Sequence, residues 1–531
     1  MTAGDNSNAL LGRCLPFCID NRCSRSYYTM NAQMSKVSIE DDEDCLRSPA
    51  FEDEGSCTQL RLMYPAAGAV FMAALAIGAA IGYPAMAISS IIADAAFGSA
   101  VGAAMEKDST NIAWFNSIVA LAALLGAFIA GPLANSTGRK PTIIIACIPF
   151  TIGWILVAVA EDLSVLFGGR ILTGISTGMI CVAGPIYIVE VSSHSARGLL
   201  GGLFGGIMST GILLCGIFGG LVLEWRGLAF LNATLPALTT IAFLFLPESP
   251  KLLVSKGRFD EAVQAMKRLH GNRIDARLEV FVMKDQCEHH EEFSMRDIFS
   301  KATLKAAGIA ISLMLFQGFS GINAVIMYAV PIFRTAAPSV NPIYCTIMLQ
   351  ALQALFNAIA SPITNRFGRK VPSVISTLGV CVSLSGFAFY QHSNTDSHVW
   401  VPVLCCMTAV ISFAIGLGPL PWLIVAEISP TRTAGLISAL ATSTAWASFF
   451  ILIRTFDSLV TALSSPVVFW IYSGWCFVGV LFSIFLLPET ANKSHYEIQM
   501  MLEGRTFPKE LENEGARDSP KVLVHNEQDS C

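Results

Sequence analysis

The groups in this chain best placed to do chemistry are charged residues at the ends of apolar runs. Asn135-Ser-Thr-Gly-Arg139-Lys140 is written again in the second half of the chain as Asn365-Arg-Phe-Gly-Arg369-Lys370. Carboxylates repeat with it. Glu190 precedes Gly198 by eight residues, and Glu427 precedes Gly435 by the same interval. Pro247-Glu248-Ser-Pro250 closes one apolar run and Pro488-Glu489-Thr490 closes another. Guanidinium and carboxylate at recurring spacing offer reversible, bidentate ion pairing rather than bond making or breaking. No catalytic triad, metal cluster or nucleic-acid patch accompanies them. Gly201-Gly-Leu-Phe-Gly-Gly206 lacks the Lys-Ser/Thr ending of a phosphate loop. The expectation is a protein that is not an enzyme and uses neither cofactor nor metal.

The elements that carry these groups follow from composition. Of 531 residues, 53% are hydrophobic and only 14% are charged, and mean hydropathy is +0.58. A soluble protein of this size needs more charge to cover its surface. Apolar stretches of about 20 residues, each able to cross ~30 Å of hydrocarbon, are expected at 65–91, 112–134, 141–160, 163–188, 199–222, 228–247, 303–333, 341–364, 371–391, 400–425, 434–462 and 466–487. The fold expected is all-α, with twelve spans in two six-helix bundles. A turn with Gly and two cations between long apolar helices must lie at a membrane face. Its return marks a duplicated bundle, an architecture that membrane transporters use.

The expected domains are a polar, disordered tail at 1–63, a first bundle at 64–250, a helical insert at 251–302, a second bundle at 303–490 and a tail at 491–531. Helical patterning within the insert runs from Phe259 to Leu269. No cleavable leader is visible, so the first span is expected to do the targeting. The fifteen cysteines form no framework. Cys147, Cys181, Cys215, Cys381, Cys405, Cys406 and Cys476 fall in expected spans and act there as small apolar residues. Cys14, Cys18 and Cys23 have neither a histidine nor a second CxxC pair beside them. With both termini inside, cytoplasmic segments hold Arg139, Lys140, Arg197, Arg366, Arg369, Lys370, Arg432 and the insert's cations. The outer loops then hold only Lys107, Arg226 and Arg334. That asymmetry points to cytoplasmic N- and C-termini in a multi-pass protein of the cell membrane.

Seven motifs taken together resemble a known family: Gly169-Arg170 with Gly174, Pro185-Ile-Tyr-Ile-Val-Glu190, Arg197-Gly198, Pro247-Glu-Ser-Pro250, Phe316-Gln-Gly-Phe-Ser-Gly-Ile-Asn323, Gly418-Pro-Leu-Pro-Trp422 and Pro488-Glu-Thr490. They are similar, over roughly residues 65–500, to the sugar porter branch of the major facilitator superfamily. Within it the likeness is greatest to the facilitated trehalose transporters of invertebrates and related hexose facilitators. The resemblance implies a neutral-sugar carrier, moving trehalose or a hexose by alternating access, monomeric in the bilayer and binding no nucleic acid. It implies an inner gate of Arg139, Glu190, Arg197, Glu248, Arg369, Glu427 and Glu489, in which Arg139 and Arg369 each have Glu190, Glu248, Glu427 and Glu489 as candidate partners across bundle ends. It also implies sugar contacts from Gln317, Asn323, Gln353, Trp422 and Trp446, and an outer-gate aromatic at Tyr328.

Those types suit a sugar, whose hydroxyls need amide and indole hydrogen bonds beside a flat apolar face. Gln317 and Tyr328 are eleven residues apart, three turns on one face of a straight helix. Asn323 lies off that face, and Gly318, Ser320 and Gly321 mark a break that would re-aim it. The chain departs from the family pattern in several places. Asn135 and Asn365 stand where an Asp is frequent, and Ala434 where the second clamp has Arg. Expected donors are replaced by Gly205, Gly318, Ala414, Ala445 and Phe449, each change adding room for a wider cavity. Pro84 follows Tyr83 where proton-coupled relatives carry Asp, and the first span has no carboxylate. The expected mode is therefore uniport. Arg170 is expected near an outer end, and Arg454 with Asp457 as a self-neutralised pair on one helix face. Two other readings remain at this point: a non-transporting sugar sensor on the same bundle, and a proton-coupled symporter of another organic solute.

Overall fold

A computed structural model describes residues 62–503, apart from 272–275, 289–297, 337, 394–399, 431–432, 492 and 494. The expectations for the N-terminal tail and for residues beyond 503 lie outside the described residues. Helices account for nearly all of the rest. Twelve are long and apolar enough to cross a membrane, and their ends fall within a few residues of the sequence expectation at most boundaries.

The first six-helix half contains α1 (Met63–Ala93), a short α2 (Ala100–Lys107), α3 (Ser109–Ser136), α4 (Arg139–Ala158), α5 (Leu163–Val191), α6 (His194–Leu221) and α7 (Trp225–Phe245). Helix α2 lies in a loop and was not anticipated. Its start is made by the Ser99 hydroxyl, which accepts from Gly102 N–H, and the Asp108 carboxylate after it caps α3 through Thr110 N–H. Three helices follow before the second half: α8 (Pro250–Ser255), α9 (Phe259–His270) and α10 (Ala276–Glu288). They bury a small core of Leu253, Val254, Ala262, Ala265 and Val280. Only α9 shows a strong apolar stripe with acids in its first turn and cations in its last, the charge order that the helix dipole favours.

The second half contains α11 (Lys301–Gly318), α12 (Ile322–Met327), α13 (Ala329–Ala336), α14 (Pro342–Phe367), α15 (Lys370–His392), α16 (Trp400–Ile415), α17 (Leu420–Ile428), α18 (Ala434–Leu463) and α19 (Ser465–Phe485). A last helix, α20 (His495–Glu503), packs Ile498 and Leu502 against α11 and α17. Two spans are broken. The seventh breaks at Phe319–Gly321, with Gly321 in the left-handed region at φ 83°. The tenth breaks between Ile415 and Leu420, around Gly416 and Gly418. The first break removes the straight register that would have put Gln317 and Tyr328 on one face. In a membrane such breaks are tolerated only where the freed backbone is buried in protein or lines a cavity.

The halves meet along two seams, α3 against α18 and α6 against α14. Ala120 and Ile212 of the first half are buried within the second half's core cluster. Trp114 packs on Phe450, ring centroids 6.2 Å apart. A Cβ at Gly220 would meet Ile343 at 2.7 Å, and one at Gly216 would overlap the Gln350 amide. All these contacts lie toward the face away from the insert. Along the same face of α6, Gly205 is one turn nearer the insert than Ser209, and a Cβ there would meet nothing within 4 Å. A Cβ at Gly206 would still meet Ala358 of α14 at 3.8 Å, whereas one at Gly201 would meet nothing within 4 Å, so the α6–α14 seam is packed from Gly220 to Gly206 and parts beyond it.

Candidate functional site

The two basic turns build matching clamps. Arg139 donates Nε and Nη2 to Glu190 Oε2 and Oε1 at 3.0 and 3.1 Å, and Nη1 to the Ala134 carbonyl at 2.8 Å. Arg369 donates Nε and Nη2 to Glu427 Oε1 at 3.2 and 2.8 Å, and Nη1 to the Thr364 carbonyl at 2.7 Å. The second carboxylate of each half takes backbone donors. Glu248 Oε1 accepts from Lys140 N and Ser249 N, while Glu489 accepts from Arg369 N, Lys370 N and Ala491 N. Glycine precedes each arginine for a steric reason. A Cβ at Gly138 would overlap Glu248 Oε2, one at Gly368 would lie 2.8 Å from Glu489 Oε2, and both have positive φ, 128° and 80°.

Each clamp closes within its own half: of the four carboxylates open to each arginine, Arg139 takes Glu190 and Arg369 takes Glu427. The physical reason is reach. A turn of two or three residues sets the arginine at the start of the next helix, beside the carboxylate that ends the fourth span of the same half. Thr490 Oγ1 adds a donor to Glu427 Oε2 at 2.5 Å, a bond without a counterpart at Glu190 among the described residues. The place of the missing second-half arginine is Ala434, and Arg197 is in α6 with its side chain outside the described residues. Burial works to raise the Glu489 carboxyl, but the N–H groups of Arg369, Ala491 and Lys370 outweigh it and hold the group below the ordinary glutamate range.

The sugar-contact candidates fall in three places. Gln317 is buried at the end of α11, and its Nε2 donates to Leu417 O at 3.1 Å and Gly418 O at 2.5 Å. The two broken spans are thus joined by one amide bonded to freed carbonyls, and Trp422, 44% exposed, follows on α17. Asn323, in the first turn of α12, is half-buried and has no hydrogen-bond partner among the described residues. Trp446, on α18, has its Nε1 buried without a partner and its ring edge-on to Phe449 at 6.0 Å. Gln353 is on α14, beside the α6 seam, with Oε1 unpartnered. No hydrogen bond among the described residues joins it to the Gln317 group. Tyr328 is buried on the shut side, donating to Asp457 Oδ2 at 3.1 Å and stacked on Phe456 at 4.8 Å.

Two further expectations change, for the Arg454–Asp457 pair and for Gly318, while Arg170 stays near one end of α5 where it was expected. Arg454 and Asp457 share a face but form no ion pair among the described residues, because neighbouring helices claim each. Tyr328 holds the carboxylate, and the guanidinium sits 5.0 Å from the Trp114 ring of the first half. Arg170 is fully buried between Tyr83 and Phe115, donates Nη1 to Ala80 O at 3.1 Å, and leaves Nε and Nη2 without partners. Gly318 adds no room, since a Cβ there would overlap Ser448 Oγ and lie 2.5 Å from its Cβ. Sequence reading also missed Gln350, Asn357 and Ser209. Asn357 Nδ2 donates to Ser209 Oγ across the seam at 2.6 Å. Their signal was present, as Gln350, Gln353 and Asn357 recur at helical spacing in a span.

Two pseudo-symmetric six-helix halves, two broken spans and a seam shut at one end define a membrane carrier of the major facilitator fold. Solved structures agree. The inward-open xylose transporter XylE from E. coli superposes with a TM-score of 0.70 at 20% identity, over 83% of this chain and 99% of that chain. A family model described as sugar (and other) transporter matches residues 69–502, and the chain belongs to that family. Among curated relatives it is 34% identical to a facilitated trehalose transporter of Bombyx mori, over 77% of this chain and 83% of that one. It is 33% identical to one of Culex quinquefasciatus, over 90% and 93%.

Proposed function

We propose that this chain is a facilitative carrier of a neutral sugar, trehalose or a hexose, working by alternating access as a uniporter. The observation that carries the reading is the one-ended seam: packed from Gly220 to Gly206, with no neighbour within 4 Å of a Cβ at Gly205 or Gly201, and with the Gln317 amide at the paired helix breaks. Rocking the halves about this seam would exchange the shut end for the open one. Gln317, Asn323, Gln353, Trp422 and Trp446 are the sugar contacts in this reading, and Tyr328 belongs to the gate at the face away from the insert. The arginine–glutamate clamps of Arg139, Glu190, Glu248, Arg369, Glu427 and Glu489 hold each half's ends as rigid bodies, and Arg197 is counted with the inner gate in this reading.

The insert, both termini and the open end lie on the cytoplasmic side of the cell membrane, as the lysine and arginine distribution supports, and the working unit is one chain. Uniport follows from α1, which carries no Asp or Glu from Met63 to Ala93. Purified protein in liposomes should take up labelled trehalose or glucose saturably, accelerate under counterflow and ignore an imposed proton gradient. Loss of counterflow with retained sugar binding would favour a sensor. Strong acceleration by an inward proton gradient would favour a symporter.

A further inference from the structure

Gln350 is fully buried on α14, and neither its Oε1 nor its Nε2 has a hydrogen-bond partner. A buried amide with both ends unmet costs stability, whereas an apolar side chain of the same shape would cost nothing. Packing alone therefore does not account for a glutamine here. Of the other polar groups on this face, Gln353 leaves its Oε1 unmet, and Thr346 and Asn357 are engaged. Thr346 Oγ1 donates to Pro342 O at 2.8 Å, and Asn357 donates to Ser209 across the seam. Gln350 faces Gly216 of α6, so close that a Cβ at Gly216 would overlap Oε1. It is thus enclosed by the shut part of the seam. That part must open in the other state of an alternating carrier, and the amide would then face the emptied vestibule.

We infer that Gln350 is a hydroxyl-binding residue of the outer vestibule, taking the second ring of a disaccharide when the seam opens. This rests on the carrier reading and deepens it. Gln350 stands one turn outward of Gln353, and Asn357 one turn inward. The three amides form a stripe that rises about 10 Å along α14, longer than a single pyranose ring needs. A ring held at Gln353 leaves its neighbour at the level of Gln350, whose amide both donates and accepts, as a sugar hydroxyl requires.

The test uses full-length protein in liposomes and compares uptake half-saturation for trehalose and glucose in wild type, Gln350→Met and Gln350→Asn. Removing an unmet amide does not unfold the seam, so Gln350→Met is expected to fold, and Gln350→Ala provides a second reading of the same ratio. The expected result is a rise of about tenfold for trehalose, the loss of one hydrogen bond, less than twofold for glucose, and partial rescue by asparagine. A mere bias between the two states would scale both sugars by one factor. Equal shifts, or none, overturn the inference. Wild type that moves glucose but not trehalose overturns it while leaving the carrier intact. Wild type that moves neither sugar removes both readings.

Discussion

Gly318 occupies a position where the family resemblance leads one to expect a hydrogen-bond donor, and its neighbour explains why this chain has none there. A Cβ there would overlap Ser448 Oγ and lie 2.5 Å from Ser448 Cβ. Gly318→Ala must therefore displace α11 from α18. Overpacking of this kind costs roughly 1–3 kcal/mol. The better helix propensity of alanine returns at most about 1 kcal/mol, and less at the last residue of a helix. The net expectation is a loss of about 1–2 kcal/mol, read as a fall of a few degrees in Tm by tryptophan fluorescence of purified protein in detergent. Ser448→Gly removes both clashing atoms, whereas Ser448→Ala leaves the Cβ in place. Gly318→Ala should then cost almost nothing in the Ser448→Gly background and most of its penalty in the Ser448→Ala background. Gly318→Gln, which supplies an amide donor at this position, should lower sugar uptake. An alanine variant that melts with wild type, or a glutamine variant with faster uptake, would refute the account.

Other expectations follow from the clamps and the buried arginine. Glu489 has a depressed carboxyl pKa in the folded chain, so its stabilisation is complete above the unfolded value of about 4.3 and is lost as pH falls through the folded one. Thermal melts should be flat at neutral pH and decline below about pH 4.5, and Glu489→Gln should melt lower at neutral pH with a shallower acid decline. Arg139→Lys cannot reproduce two bonds to Glu190 plus one to Ala134 O, so it should cost about 1–3 kcal/mol; an unchanged melt would show the clamp to be idle. Arg170→Met replaces a buried charge with two unmet N–H groups by an apolar chain, and its Tm should equal or exceed that of wild type. A marked fall would mean that Arg170 has a partner in another state.

The repeat, the twelve spans and the break in the seventh were legible before any coordinates because each is local. A membrane span needs its own length of apolar residues, and a break needs glycine where it falls. The clamp residues were equally legible, since their spacing repeats. Their partners were not. Arg139 and Arg369 each had four carboxylates to choose from, and only the packing of the fourth span beside the turn selected one. The pairing of Arg454 with Asp457 failed for a similar reason, because Tyr328 and Trp114 arrive from helices distant in sequence.

Taken alone, the amino-acid order determined that this is a duplicated, twelve-span helical protein with cations gathered at one face and amides inside. Only the tertiary structure decided which amides are spent and which are free. It showed Gln317 engaged with backbone carbonyls, Gln350 shut unmet against Gly216, and the space beside Gly318 filled by Ser448. Hydropathy and periodicity act along one helix, whereas hydrogen-bond satisfaction and excluded volume are properties of the surfaces that helices present to one another.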